Sequence, residues 1–332
     1  MTNPAGFALA LASVTFVGEG LQRPECVLAT RAGALHMPDW RGGVVRIDPD
    51  GRQTAIGCAP TKEEARFLPN GIVLLRDRSY LFANLGGDGG IWRLYADGRC
   101  EPWLTTVDGV ALPAVNFVWM DHRERIWFTV MFRSHVGAGR HGFRADIPDA
   151  YVGLVDSVLR PHTARIAGEG IFTANECRIG LDGRHLYVNE TFASRLCRFA
   201  LADDGTLGPR EVFAQFDEDT FPDGLTLDAE GALWVTGVGA NKIVRVQRDG
   251  SWQIVAEDLD PAHMDAVRAA VRDGTLGRAL LYDNHARVLP NVTSLAFGGP
   301  DLRTAYLGSV SGTRIAAFRS PVAGAAPVHW NW

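Results

Sequence analysis

One arrangement of polar and apolar positions recurs six times along the chain: a polar residue, an apolar strand, a turn, and an aromatic residue inside a second strand. The copies read PECVLATRAGALHM from Pro24, PNGIVLLRDRSYLF from Pro69, VNFVWMDHRERIWF from Val115, ANECRIGLDGRHLY from Ala174, PDGLTLDAEGALWV from Pro222 and VTSLAFGGPDLRTAY from Val292. The polar position holds Glu25, Asn70, Asn116, Asn175, Asp223 and, less distinctly, Thr293 or Ser294. The first five stand eleven or twelve residues ahead of His36, Phe82, Trp127, Tyr187 and Trp234. A third strand follows in four copies as GGVVRI, GGIWRL, SRLCRF and NKIVRV, with Arg46, Arg93, Arg198 and Arg245 in equivalent places. Asp-Gly turns at Asp50, Asp97, Asp204 and Asp249 then close the unit. These arginines read as scaffold on a solvated strand face.

All-β units at this period predict a six-bladed β-propeller of four-stranded antiparallel blades, formed by residues 1–332 as one domain. The segment Ser13–Gly18 is expected to complete the last blade and so remove its open edge. Spacings of 45, 46, 59 and 48 residues between polar positions, then about 70, locate two insertions, at about 132–151 and 260–285. The first carries His135 and His141. The second, between blades 5 and 6, contains PAHMDAVRAAVRDG, a short helix with a Gly274 stop. Insertions in repeat proteins map to loops on one face, often the binding face.

Composition narrows the partners. Net charge is -5 and no block of Lys or Arg occurs, so nucleic acid and anionic membrane are not expected. Five widely spaced cysteines without a Cys-x-x-Cys pair read as buried free thiols. The apolar run FALALASVTFVG has no Lys or Arg before it and reads, at its end, as a strand rather than a leader. A reducing cytoplasm is the expected location. Nothing in the pattern speaks to oligomeric state.

In a propeller the residue opening each innermost strand faces the mouth of the central channel. Glu25, Asn70, Asn116, Asn175 and Asp223 should converge there as a ring of carboxylate and amide oxygens. Such oxygens suit Ca²⁺, Mg²⁺ or Mn²⁺. Without a cation, two facing carboxylates repel and one tends to keep its proton. Turn chemistry competes for Asn70-Gly71 and Asp223-Gly224. It does poorly with Glu25, which is not a turn former yet falls in register. No Gly-x-Ser-x-Gly elbow, phosphate loop or His-Glu-x-x-His helix is present. His135, His141 and His285, in or beside the insertions, are the acid/base candidates, and His36 is structural.

RPECV around Glu25, ANECRIGLDGRHLYVNET from Ala174 and FPDGLTLDAEGALWV from Phe221 together resemble the SMP-30/gluconolactonase-type lactonases. The resemblance implies a six-bladed propeller with one divalent metal (Ca²⁺, Zn²⁺, Mg²⁺ or Mn²⁺) held by Glu25, Asn175 and Asp223. It implies that Asn116 lies near metal and substrate; Asn70, from the same ring, is expected as a further substrate contact. The implied activity is hydrolysis of a small lactone or related cyclic ester, with Asp223 accepting a proton from water.

Departures from the family pattern bear on substrate. An Arg common two residues before the third-blade Asn is Ala114 here, the Asp after it is Phe117, and Trp119 follows. The fourth-blade Asn-Gly is Asn175-Glu176, and its Asp-Ser or Asp-Thr is Glu190-Thr191. A less polar pocket involving Trp119, Phe132 and Phe192 is expected, with gluconolactone a poor substrate. Two alternatives stand beside hydrolysis. One is a strictosidine-synthase-like propeller enzyme, suggested by LYVNET and Arg195-Leu196-Cys197-Arg198. The other is a non-enzymatic propeller scaffold.

Overall fold

The computed structural model describes residues 6–133 and 143–332. Their alternating strands pair into six four-stranded antiparallel sheets, the blades of the expected propeller. From the axis outward, blade 1 is Leu28–Ala29, Leu35–Asp39, Gly43–Ile47 and Gln53–Ile56. Blade 2 is Pro69–Leu74, Tyr80–Asn84, Ile91–Leu94 and Cys100–Leu104. Blade 3 is Phe117–Met120, Ile126–Val130, Ala150–Val155 and Arg165–Ile171. Blade 4 is Ala174–Ile179, His185–Glu190, Arg195–Leu201 and Leu207–Gln215. Blade 5 is Phe221–Leu227, Leu233–Val238, Lys242–Val246 and Trp252–Glu257. Blade 6 takes Val292–Gly298, Thr304–Ser309 and Ile315–Arg319 from the end of the chain and Thr15–Val17 from its beginning. The register Thr15↔Ala317 to Val17↔Ile315 closes the ring.

The repeated aromatic has a physical role in two blades. Trp127 and Trp234 are fully buried, and each indole Nε1 donates to an Asp six residues earlier, Asp121 at 2.9 Å and Asp228 at 3.0 Å. Asp228 also accepts from the Glu230 and Ala232 amides and from Arg245 Nε at 2.8 Å. One carboxylate thus ties the turn, the second strand and the third strand together. Arg46, Arg93 and Arg198 pair with Asp48, Asp77 and Glu211 on partly exposed outer strands. Arg245 departs from the solvated-face expectation, because it is buried against Asp228 and Glu230.

The innermost strands are irregular where they carry their polar residue. Register shifts fall between Pro69 and Ile72, Ala174 and Cys177, Pro222 and Leu225, and Val292 and Ser294. Bulges of this kind re-aim side chains at the rim of a sheet. Gly71 and Gly224 lie inside these strands rather than in turns. A Cβ on Gly224 would sit 2.4 Å from Thr293 O, and one on Gly71 would sit 2.7 Å from Phe117 Cδ2. Glycine is required there by the close approach of the next blade.

Phe132 and Phe143 of the first insertion and Arg278 and Tyr282 of the second lie at one mouth of the channel. The expected helix spans Pro261–Arg272, capped by Asp260, whose side chain accepts from His263 N, and it ends before Gly274 at φ +64°. A second short helix is Arg278–Tyr282. Met264, Val267, Leu276 and Leu281 pack with Phe143, Phe192 and Phe221. Phe143 N donates to Leu276 O at 2.8 Å, joining the two insertions directly. The five cysteines are free thiols, three of them buried. Among the described residues no helix is long and apolar enough to cross a membrane.

Asp228→Ala leaves Arg245 Nε and Trp234 Nε1 without partners in the interior, with Glu230 alone left to pair Arg245, so it is expected to lower the unfolding free energy by about 3 kcal/mol. Arg198→Ala, which breaks a partly exposed pair with Glu211 and a contact with the Phe213 ring, is expected to cost about 1 kcal/mol. Urea unfolding of the two variants checks this, and equal losses would contradict the tie.

Candidate metal centre

Glu25, Asn116, Asn175 and Asp223 line one pocket at that mouth of the channel. They are linked by hydrogen bonds that run from blade to blade. Arg23, whose backbone is left-handed at φ +54°, donates to Asn70 Oδ1 at 2.5 Å. Asn70 Nδ2 donates to Glu25 Oε1 at 3.1 Å and to Asn116 O at 2.8 Å. Asn116 Nδ2 donates to Asn175 Oδ1 at 2.7 Å, and Asn175 Nδ2 donates to Thr191 Oγ1 at 3.1 Å. Thr191 then donates to Pro222 O, next to Asp223, and on the other side of the ring Thr293 of blade 6 donates to Glu25 O at 2.9 Å. Each amide is therefore held in one orientation by its neighbour blade. Asn70, expected as a substrate contact, has both ends of its amide engaged within the protein and stands behind the pocket rather than on its wall.

A third carboxylate joins the two that the register indicated. Glu176 is buried beside Asn175, accepting from Leu225 N at 3.0 Å and pairing with Arg178 at 2.9 Å. Among the described residues, Glu25 Oε2, Asp223 Oδ1 and Glu176 Oε1 are buried without a hydrogen-bond partner. Burial pushes all three carboxyls above the ordinary carboxylate range. The charges of Glu25 and Glu176 push Asp223 further, while the Arg23 guanidinium opposes the rise at Glu25 and Asp223. Hard oxygen donors with orphaned lone pairs fit a divalent cation. The pocket offers about 70 Å³, several times the roughly 10–15 Å³ that one water needs, so an ion can enter with part of its hydration shell.

A larger cavity of about 300 Å³ lies at the far ends of the same strands and contains none of these orphaned oxygens. Trp119 belongs to that cavity, and Phe117 is buried, both with Arg178 over their rings. The expectation that Phe117 and Trp119 make the catalytic pocket less polar is therefore corrected. Strand alternation places both on a face directed elsewhere. Ala114, Phe132 and Phe192 do line the pocket, joined by Leu85, Met131 and Phe143. Phe143 stacks on Phe192 with ring centroids 4.9 Å apart.

His285 is not part of the lining. It lies 3.0 Å from Asp283 and stacks on His263. His135 and His141 lie outside the described residues. Sequence reading passed over Arg23, Arg278 and Tyr282, all on the pocket wall. Arg23 stands two residues ahead of Glu25 in a quoted motif, whereas Arg278 and Tyr282 sit in an insertion where no repeat register exists.

Residues 23–256, more than half of the chain, match the family model for the SMP-30/Gluconolactonase/LRE-like region. The chain belongs to this family. A 6-deoxy-6-sulfogluconolactonase of Pseudomonas putida is 24% identical over 285 residues, which cover 84% of this chain and 76% of that one. Among solved structures, a gluconolactonase from Xanthomonas campestris superposes with a TM-score of 0.66 at 18% identity, covering 93% of this chain and 89% of that one. The calcium-binding protein regucalcin from Agrobacterium tumefaciens superposes at 0.64 with 17% identity, covering 93% and 96%. At such identities the structural likeness speaks for the fold.

A carboxyl whose pKa is raised by folding destabilises the fold once pH passes its unfolded value, and the loss grows until pH reaches the folded value. Asp223→Asn removes that liability. The cation-free variant is expected to melt above the cation-free parent at neutral pH and level with it near about pH 3. It should also lose any rise in Tm that added divalent cation gives the parent. Differential scanning calorimetry across pH checks both, and a variant less stable than its parent at neutral pH would contradict the burial argument.

Proposed function

We propose that the protein opens a lactone or related cyclic ester using one divalent cation held by Glu25, Asn175 and Asp223. The observation that carries this is the pair of partnerless buried oxygens, Glu25 Oε2 and Asp223 Oδ1, in one pocket beside Asn175. Membership of the family and the lactonase names of its relatives support the substrate class. When bound, the cation supplies Lewis-acid polarisation of the ester carbonyl and lowers the pKa of a water.

The chain's own groups do the rest. Asp223 takes the proton from the attacking water through whichever carboxylate oxygen does not hold the cation. Asn175 has Nδ2 committed to Thr191, which turns its carbonyl Oδ1 toward Asn116 and the pocket. Asn116 orients the substrate from the blade 3 side, and Arg23 fixes Glu25 through Asn70. The aromatic wall of Phe132, Phe143 and Phe192 excludes water and offers no hydrogen bonds to ring hydroxyls. A polyhydroxylated lactone is consequently disfavoured relative to one with fewer hydroxyls.

Protein stripped with chelator is expected to hydrolyse no lactone and to regain activity with one of Ca²⁺, Zn²⁺, Mg²⁺ or Mn²⁺. Asp223→Asn should lower kcat by about 100-fold or more at saturating cation, the scale of a lost general base. Kinetics on sugar, aliphatic and aromatic lactones, with each metal restored, checks this. Undiminished hydrolysis by the stripped protein or by Asp223→Asn would overturn the assignment.

A further inference from the structure

The walls of the candidate pocket differ in chemistry around the ring. Blades 2, 3 and 4 contribute Leu85, Ala114, Met131, Phe132, Phe143 and Phe192. The opposite side, blade 1 and the insertion between blades 5 and 6, contributes Arg23, Arg278 and Tyr282, with Leu281 between the last two and Val238 and Val310 beside them. The ionisable lining is thus Arg23 and Arg278 against Glu25 and Asp223. A divalent cation on the two carboxylates cancels their charge and leaves two guanidinium charges without a counter-ion inside the pocket. A buried charge is costly unless it is paired.

Among the described residues neither guanidinium forms an ion pair, although the charge of Arg23 is felt at Glu25 and Asp223. Arg23 is 8% exposed, bonds only to Asn70 Oδ1 and Tyr282 OH, and has a buried Nε with no acceptor among the described residues. Trp40 packs against its guanidinium, with Cζ 4.3 Å from the ring centroid, and holds it in place. Arg278 likewise has a buried Nε without an acceptor, and no hydrogen bond or ion pair of its side chain is formed among the described residues. Arg278 and Tyr282, four residues apart, share one face of the short helix. Tyr282 accepts from Arg23 at 3.1 Å, so the three side chains form one continuous wall with forked donors, in a pocket whose free carboxylate oxygens on Glu25 and Asp223 are the ones a cation would take.

We propose that the pocket takes a lactone bearing a compact oxyanion, a carboxylate or sulfonate, which Arg278 and Arg23 receive while the apolar edge of the ring lies against Phe132, Phe143 and Phe192. This rests on the lactone-opening reading of the same pocket. A guanidinium meets such a group with two parallel charge-assisted hydrogen bonds. The family position that would place an Arg on blade 3 is Ala114 here, and the cationic wall stands on the other side of the channel. The bound substrate is therefore oriented with its charged end toward blades 6 and 1.

Two pairs of compounds test this. The first is γ-carboxy-γ-butyrolactone and its γ-carboxamide, compared by kcat/KM with divalent cation present. The parent is expected to prefer the carboxylate by about tenfold or more. Arg278→Gln should bring the ratio close to one, and Arg278→Lys should restore part of it. The second pair is cyclopentanecarboxylate and cyclopentanecarboxamide, which contain no ester and are compared by calorimetric binding to the parent and to Arg278→Gln. Equal use of the two lactones, or a carboxylate preference that survives Arg278→Gln in both assays, overturns the subsite, since the anion would then sit on the cation. Arg278-dependent binding of cyclopentanecarboxylate with neither lactone opened by any cation upholds the subsite and overturns the lactone reading instead.

Discussion

Three carboxylates brought out of water at the axis of the ring set the terms for everything around them. Glu25, Glu176 and Asp223 are each nearly inaccessible, and each keeps one oxygen without a partner among the described residues. Burial of this kind favours the protonated acid, Glu176 raises Glu25 further, and Glu25 and Glu176 both raise Asp223. A fold carries such a liability only where its scaffold is strong enough to hold it. Here the scaffold is six sheets closed into a ring by pairing the two ends of the chain.

The way the centre is assembled follows from how propeller blades meet. Each innermost strand begins near its neighbour, so a polar residue there can bond across the blade boundary before it reaches the channel. The run from Arg23 through Asn70, Asn116, Asn175 and Thr191 to the backbone beside Asp223 does this at successive boundaries. Gly71 and Gly224 admit the adjoining backbone, and bulges supply the turn of the side chain into the mouth. Glu176 replaces glycine at the equivalent place in blade 4. It bonds to Leu225 N of blade 5, so the extra carboxylate is built into the same boundary.

How far the sequence reveals this depends on whether a residue belongs to the repeat. Glu25, Asn116, Asn175 and Asp223 share a register, and shared register in a closed ring means convergence, so their meeting was legible. Closure by the strand near Thr15 was legible for the same reason, because a sixth blade with three strands needs a fourth. Phe117 and Trp119 show the limit. Both lie close to Asn116 in sequence, yet the strand they occupy turns them toward Arg178 and the far cavity. Arg278 and Tyr282 come from an insertion, where period carries no information and only tertiary packing decides what reaches the pocket. Arg245 was misjudged because a buried Asp at the turn, Asp228, draws its side chain inward.

On the proposed reading, the axial carboxylates exchange protons for a divalent cation. Calorimetric titration with Ca²⁺, Zn²⁺, Mg²⁺ and Mn²⁺ in buffers of different ionisation heat counts the protons released per cation bound. The account predicts one tight cation per chain, with release of about one proton near neutral pH. It also predicts that both binding and release disappear in the Glu25→Gln, Asp223→Asn double variant. Tight binding without proton release, or binding that persists in that variant, would contradict it.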